Sequence, residues 1–150
     1  MAQSALVVAK EILKLAQAEN RGLTPLQLIK MVYISHGWCL AHYKRPLINE
    51  NIEAWTYGPV IPELYQKVKS YGSDPVLNID TPDIQISGDD KQLIKAVYDS
   101  LKEKSGLYLS SLTHQPGTPW EKTWENGQGK NVVISNDLIQ DFYQSKLNRN

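Results

Sequence analysis

Three side chains with metal-binding chemistry, His36, Cys39 and His42, follow one another at intervals of three. Imidazole and thiolate ligands suit zinc, and a structural zinc site needs four of them converging on one point. On a helix, positions three and six apart drift around the axis, so the outer two do not converge closely. The chain has no second cluster, such as two cysteines separated by two residues, and packed core side chains are the favoured reading. No metal and no cofactor is expected. Cys39 and His114 can be imagined as nucleophile and base, but that chemistry needs a depressed thiol pKa and a third group to orient the imidazole. No residue is a candidate for that third group. Walker loops, dinucleotide fingerprints, nucleophile elbows and zinc-protease helices are all missing. The carboxylates are scattered, so no acid–base pair stands out. No catalytic residue is nominated, and the chain reads as a binding protein rather than an enzyme.

Binding chemistry is better represented. Trp55, Tyr57, Trp120 and Trp124 lie in or beside expected loops rather than in helical stripes. Aromatic side chains with a polar handle are enriched at interface hot spots. They serve equally well to close a core over helix ends, and the sequence leaves both readings open. The 150 residues carry sixteen basic and sixteen acidic side chains. Zero net charge argues against nonspecific nucleic-acid binding and against anionic membranes as partner. With 41% hydrophobic residues the chain is expected to fold rather than stay disordered. A single cysteine excludes an internal disulfide and suits a reducing compartment. The first residues lack the basic start of a signal peptide, and no run approaches the roughly 18 apolar residues of a membrane span. A cytoplasmic protein is expected.

The elements that must position these aromatics can be read from periodicity and punctuation. Val8, Ile12, Leu15 and Ala16 recur at helical spacing and predict a helix from about Ser4 to Glu19, with Gly22 suited to its left-handed C-cap. Thr24-Pro25-Leu26-Gln27 is a capping box with proline at the first helical position. The helix it opens should reach Tyr43, before Pro46. It is apolar on most sides, which marks a buried central helix. It offers Lys30 as its one basic residue before Lys44, a poor face for reading DNA despite the helix–turn–helix spacing of the first two helices. Residues 52–57 predict a short strand broken by Gly58 and Pro59, and Ile61 to Tyr71 a helix closed by Gly72. Residues 73–88 read as a long loop that can hold a short strand. Helices are expected over Asp89–Lys104, Leu107–Leu112 and from Ser135 or Asn136 to Leu147. Thr118-Pro119-Trp120 should open a further turn, and Val132-Val133-Ile134 should form a strand pairing with 52–57. The expected fold is mainly α: a compact single domain, residues 1–150, of five or six helices with a minor two- or three-stranded β-sheet.

Three segments also resemble a known family. Gly22-Leu23-Thr24-Pro25-Leu26-Gln27-Leu28-Ile29-Lys30-Met31-Val32-Tyr33, followed by His36-Gly37-Trp38 and Arg45-Pro46-Leu47, resembles the opening motif of Panacea domains, the SocA-like antitoxin domains. Ile52 to Pro62, with Glu53-Ala54-Trp55-Thr56-Tyr57-Gly58-Pro59-Val60 at its heart, resembles their central motif. Leu112-Thr113-His114 and Thr118-Pro119-Trp120 resemble the third. The resemblance runs from about residue 5 to 145, and little of the chain lies outside it. It implies a bacterial, phage or prophage protein that binds and neutralises a cognate toxin, directly or by delivering it to a protease. A phage-encoded protein acting on a host protein and, further back, a DNA-binding autoregulator are the alternatives. Nucleic acid and membrane are not expected partners, and a homodimer is expected where no partner is present. Trp55, Tyr57, Gly58, Pro59, His114 and Trp120 are the expected partner-binding residues, arranged as a cluster where the short strand meets the helix ends.

Overall fold

The computed structural model describes residues 2–86 and 88–147. Seven helices surround a two-stranded antiparallel sheet: α1 (Ala5–Ala18), α2 (Pro25–Tyr43), β1 (Glu53–Trp55), β2 (Gly58–Val60), α3 (Pro62–Val68), α4 (Gly88–Leu101), α5 (Gly106–Thr113), α6 (Pro119–Trp124) and α7 (Asn136–Leu147). Every residue from Leu28 to Gly37 is buried, so α2 is covered on all sides by its neighbours α1, α4, α5 and α7. Its start is fixed as the sequence predicts. The Gln27 amide donates to Thr24 Oγ1 at 3.3 Å, and the Thr24 amide donates to Gln27 Oε1 at 2.9 Å.

The first helix ends differently from expectation. Asn20, not Gly22, takes the left-handed conformation, with φ 59°. Asn tolerates that region better than most residues. Gly22 is instead close to Pro75, whose Cβ would lie 2.8 Å from an added methyl. The segment after residue 72 therefore crosses tightly over the α1–α2 junction, and the Val76 amide donates to the Leu23 carbonyl at 2.8 Å. Val76, Ile79 and Ile86 anchor this long loop in the core. Lys14 and Asp83 at 2.6 Å tie it to the outer face of α1. It holds no strand among its described residues, and Ser87 lies outside them.

The seventh helix is α6, where the sequence suggested only a turn. Thr118 Oγ1 caps it by accepting from the Glu121 amide at 3.3 Å, and Pro119 occupies its first turn. Residues 131–134 do pair with the hairpin. Ala54 and Ile134 amides donate to Val132 and Ile52 carbonyls at 2.9 and 2.7 Å. The pairing amounts to a single bridge, Glu53 to Val133, rather than a third strand.

One polar contact and one close packing contact join the C-terminal helix to α2. His36 is 1% exposed. Its Nδ1 faces the Leu47 and Ile48 amides at 3.2 and 3.3 Å. Amides only donate, so Nδ1 is the acceptor, the proton sits on Nε2, and Nε2 donates to Asn136 Oδ1 at 2.9 Å. Burial lowers the His36 pKa, partly offset by the Asn136 hydrogen bond, which keeps this neutral tautomer in place. One position along, Gly37 makes room for Tyr143, whose ring occupies the place a Cβ would take. The expected apolar side of α7 was Leu138, Ile139 and Phe142. Ile139 and Tyr143 are its buried residues, while Leu138 and Phe142 are half-buried.

Alanine at Gly37 tests this packing. Mid-helix, Gly→Ala alone stabilises by roughly 0.5–1 kcal/mol, whereas forcing a methyl into the Tyr143 ring should destabilise by roughly 1–3 kcal/mol. Urea unfolding of Gly37→Ala should show a net loss. The double variant with Tyr143→Leu should lose less than the sum of the two single changes. Stabilisation by Gly37→Ala would refute the close approach.

Candidate partner-binding site

The β1–β2 hairpin joins its strands through Thr56 and Tyr57, with Trp55 paired to Gly58. Neither loop residue takes a positive φ; Gly58 does, at +127°. Such a turn places the strain on the residue after it, where only glycine fits. A second constraint acts at the same atom, because a Cβ on Gly58 would stand 2.7 Å from Lys30 Nζ.

Lys30 is the residue that sequence reasoning missed. It is 1% exposed on the most buried stretch of α2, and its Nζ donates to the Pro59 carbonyl at 2.8 Å. Among the described residues no carboxylate lies within ion-pairing distance. Burial disfavours the charged form and lowers its pKa to about 7. A lone lysine inside an otherwise apolar run was the available signal. It pins the underside of the hairpin while α5 holds the other side, where Ser110 Oγ donates to the Tyr57 carbonyl at 2.8 Å.

The six residues singled out from sequence fall into two groups. Gly58, Pro59 and Trp120 are buried. Trp120 Nε1 donates to the Trp55 carbonyl at 2.6 Å, and its ring stacks on Trp124 at 5.2 Å. His114 stands edge-on to Trp120 at 5.4 Å, its Nδ1 donating to the Ser110 carbonyl. Trp55 is half-buried and meets Tyr65 edge-on at 5.1 Å, with its Nε1 donating to Glu53 Oε1 at 3.0 Å. Tyr57 is 77% exposed. The cluster expected at the junction of strand and helix ends is therefore present, except that the Tyr57 side chain points to solvent and only its backbone is held.

Beside the hairpin lies a half-open cleft of about 470 Å³. Leu26, Ile29, Trp55, Val60 and Tyr65 are among its apolar walls, with Lys30, Lys69 and Lys130 also on its lining. This volume is within the usual range of ligand pockets, roughly 300–1,000 Å³. The other candidate chemistry is not assembled. Cys39 is buried, lies 3.7 Å from an Arg45 nitrogen, and burial pushes its thiol up to about 11, the wrong direction for a nucleophile. No hydrogen bond joins it to His114 among the described residues. Nor does any group of three His, Cys, Asp or Glu residues there stand ready to hold a metal. No helix among them is long and apolar enough to cross a membrane.

The class these features define is a mainly α-helical domain that carries a hairpin fastened from beneath and from the side and flanked by an aromatic cleft. The comparisons with known proteins give that class its family. The model of the SocA-like antitoxin Panacea domain matches residues 28–121. The chain is also 30% identical to Antitoxin SocA of Caulobacter vibrioides (strain NA1000 / CB15N), over 93% of this chain and 82% of that protein. The chain belongs to the SocA-like antitoxin Panacea family. No solved structure matches it significantly.

Lys30 gives this site a pH signature. An ordinary lysine titrates near 10.4, so from pH 7 upward the unfolded chain binds the proton that folded Lys30 releases. The destabilisation is complete below pH 7 and is relieved as pH rises. The depressed pKa of His36 confines its effect to below about 6.5. Cys39 and Tyr98, raised to about 11 and about 12, act in the opposite sense. Their contribution is intact until their unfolded forms begin to titrate, near 8.5 and 10. Stability measured by urea unfolding should therefore rise by roughly 1–2 kcal/mol between pH 7 and 8.5. Lys30→Met should flatten that rise; an equally steep rise in the variant would show that another group is responsible.

Proposed function

We propose that this protein is an antitoxin that neutralises a cognate toxin by direct binding, by occluding it or by handing it to a protease. Family membership and the likeness to Antitoxin SocA over 93% of this chain carry this reading. The whole chain acts as one cytoplasmic Panacea domain, and its role is recognition rather than catalysis. The hairpin tip is the contact region: Trp55 and Tyr57 are held on a rigid turn with their side chains partly or largely free. Binding by a preformed surface avoids the ordering cost that a flexible loop would add. Gly58, Pro59, His114 and Trp120 position that surface, Trp120 through its bond to the Trp55 carbonyl.

The test is to express the adjacent reading frame with and without this protein, following growth and co-purification. Arrest by the neighbour alone, relieved by this protein with co-purification of the pair, is the expected result. A harmless neighbour that does not co-purify would refute the pairing and favour a phage-encoded factor acting on a host protein.

Point variants separate contact from scaffold. Tyr57→Ala should leave thermal melting unchanged and weaken the complex by about 2 kcal/mol or more, the size of a hot spot. Trp120→Ala should cost roughly 3–5 kcal/mol of folding stability. A Tyr57→Ala protein that binds its partner as tightly as wild type would remove the hairpin tip from the interface.

A further inference from the structure

The cleft beside the hairpin has a charge pattern unlike that of the chain as a whole. The protein is neutral overall, yet the cleft lining contains Lys30, Lys69 and Lys130 and no aspartate or glutamate. None of the three forms an ion pair among the described residues, although Lys14, Arg21, Arg45, Lys95 and Lys102 all do. Lys69 and Lys130 are exposed, and Lys30 is buried. The apolar part of the lining is equally distinctive. Trp55 and Tyr65 meet edge-on within it, and Leu26 extends it toward α5, where a Cβ added at Gly106 would lie 3.1–3.2 Å from the Leu26 side chain. Tyr57, on the hairpin and on the cleft lining, is 77% exposed, and Leu107, off the lining but next in sequence to Gly106, is 80% exposed. Large apolar side chains left exposed around a pocket mark an interaction surface.

We propose that this cleft takes a short acidic segment of the partner protein, with an apolar side chain seated against Trp55 and Tyr65 and flanking carboxylates meeting Lys69 and Lys130. Charge complementarity selects the occupant: an apolar pocket carrying only cations favours a ligand that brings apolar and anionic groups together. The pocket is larger than a single anion requires. Two exposed lysines on a neutral protein fall short of the basic stripe that nucleic acid demands. The inference rests on the antitoxin reading for the partner's being a protein, and it adds where on this chain, and to what chemistry, that partner binds.

The test uses the full chain and fluorescence anisotropy. The probe is a labelled eight-residue peptide of alternating glutamate and leucine; its controls are a lysine–leucine peptide of equal length, a labelled oligothymidylate, and inorganic phosphate as competitor. The acidic peptide should bind at least tenfold more tightly than the basic one. The double variant Lys69→Glu, Lys130→Glu should lose at least tenfold of that binding while melting as wild type, since neither side chain is buried or paired. No binding of the acidic peptide, unchanged binding by the double variant, or tighter binding of the oligothymidylate would overturn the proposal. So would displacement of the peptide by phosphate at a comparable affinity, which would mark a simple anion site. The neighbour-rescue experiment separates the two readings. A double variant that still neutralises and co-purifies with the toxin defeats the cleft proposal and leaves the antitoxin reading standing. A wild-type chain that neutralises nothing defeats the antitoxin reading whatever the peptides do.

Discussion

The burial of the middle of α2, every residue from Leu28 to Gly37, is the constraint on which the rest of the structure depends. A helix segment covered on every side satisfies its own backbone, but a polar side chain buried on it is costly unless it finds a partner inside the protein; the Tyr33 and Ser35 hydroxyls have none among the described residues. Two other side chains of this segment reach out to segments distant in sequence. His36 bonds to the chain at residues 47–48 and to Asn136 at the start of α7. Lys30 bonds to the carbonyl of Pro59 in the hairpin. These bonds make α2 both the core and the frame. The hairpin that carries Trp55 and Tyr57 is fastened to the most buried stretch of α2.

The two buried groups carry different energetic consequences. Neutral His36 is fully engaged, with both ring nitrogens bonded in one tautomer, so its burial specifies structure at little cost. Lys30 has one bond for an amine that can donate more, and its burial opposes folding while it is charged. Such a residue stabilises less than an apolar side chain of similar length would. Its value lies in geometry. With Gly58 at a φ unfavourable for other residues and Lys30 Nζ where its Cβ would crowd it, the two residues together require glycine at this position of the turn. The hairpin is thus held in place at the expense of some stability.

Much of this was legible in the sequence, for local reasons. The capping box at Thr24, the proline at the start of α3 and the apolar periodicity of α1, α2 and α4 are decided by neighbours in the chain. So is the break at Gly58. What escaped is decided by contacts across the fold. Gly22 looked like a C-cap because glycine usually fills that role; Asn20 serves instead, and Gly22 is small because Pro75 crosses it. Tyr143 could not be preferred over Phe142 as the anchor of α7 without knowing that Gly37 faces it. Helix α6 is barely two turns, too short for periodicity to distinguish from a turn. For the site, the aromatic cluster was visible as a set of motif residues, but not its division into buried and exposed members. Lys30 was counted only as an isolated charge on an apolar helix, because burial depends on what packs against it.

That division has a consequence for how a recognition domain can keep its fold while changing partner. Gly58 and Pro59 are fixed by Lys30 beneath them, and Trp120 by its bond to the Trp55 carbonyl and its stacking on Trp124. Replacing any of these removes a buried contact, so their chemistry answers to the core. Tyr57, Lys69 and Lys130 are exposed around the same cleft, and among the described residues none makes a side-chain hydrogen bond or ion pair. Exposed substitutions away from such contacts typically change stability by no more than about 0.5 kcal/mol, so charge and shape at the rim can vary while the hairpin stays in place. On the proposed contact surface, selectivity would then depend on differences in rim contacts, a few of which amount to several kcal/mol between one partner and another. A frame held by burial and a rim free of structural duty are the two properties a binding domain needs in order to be retargeted without being refolded.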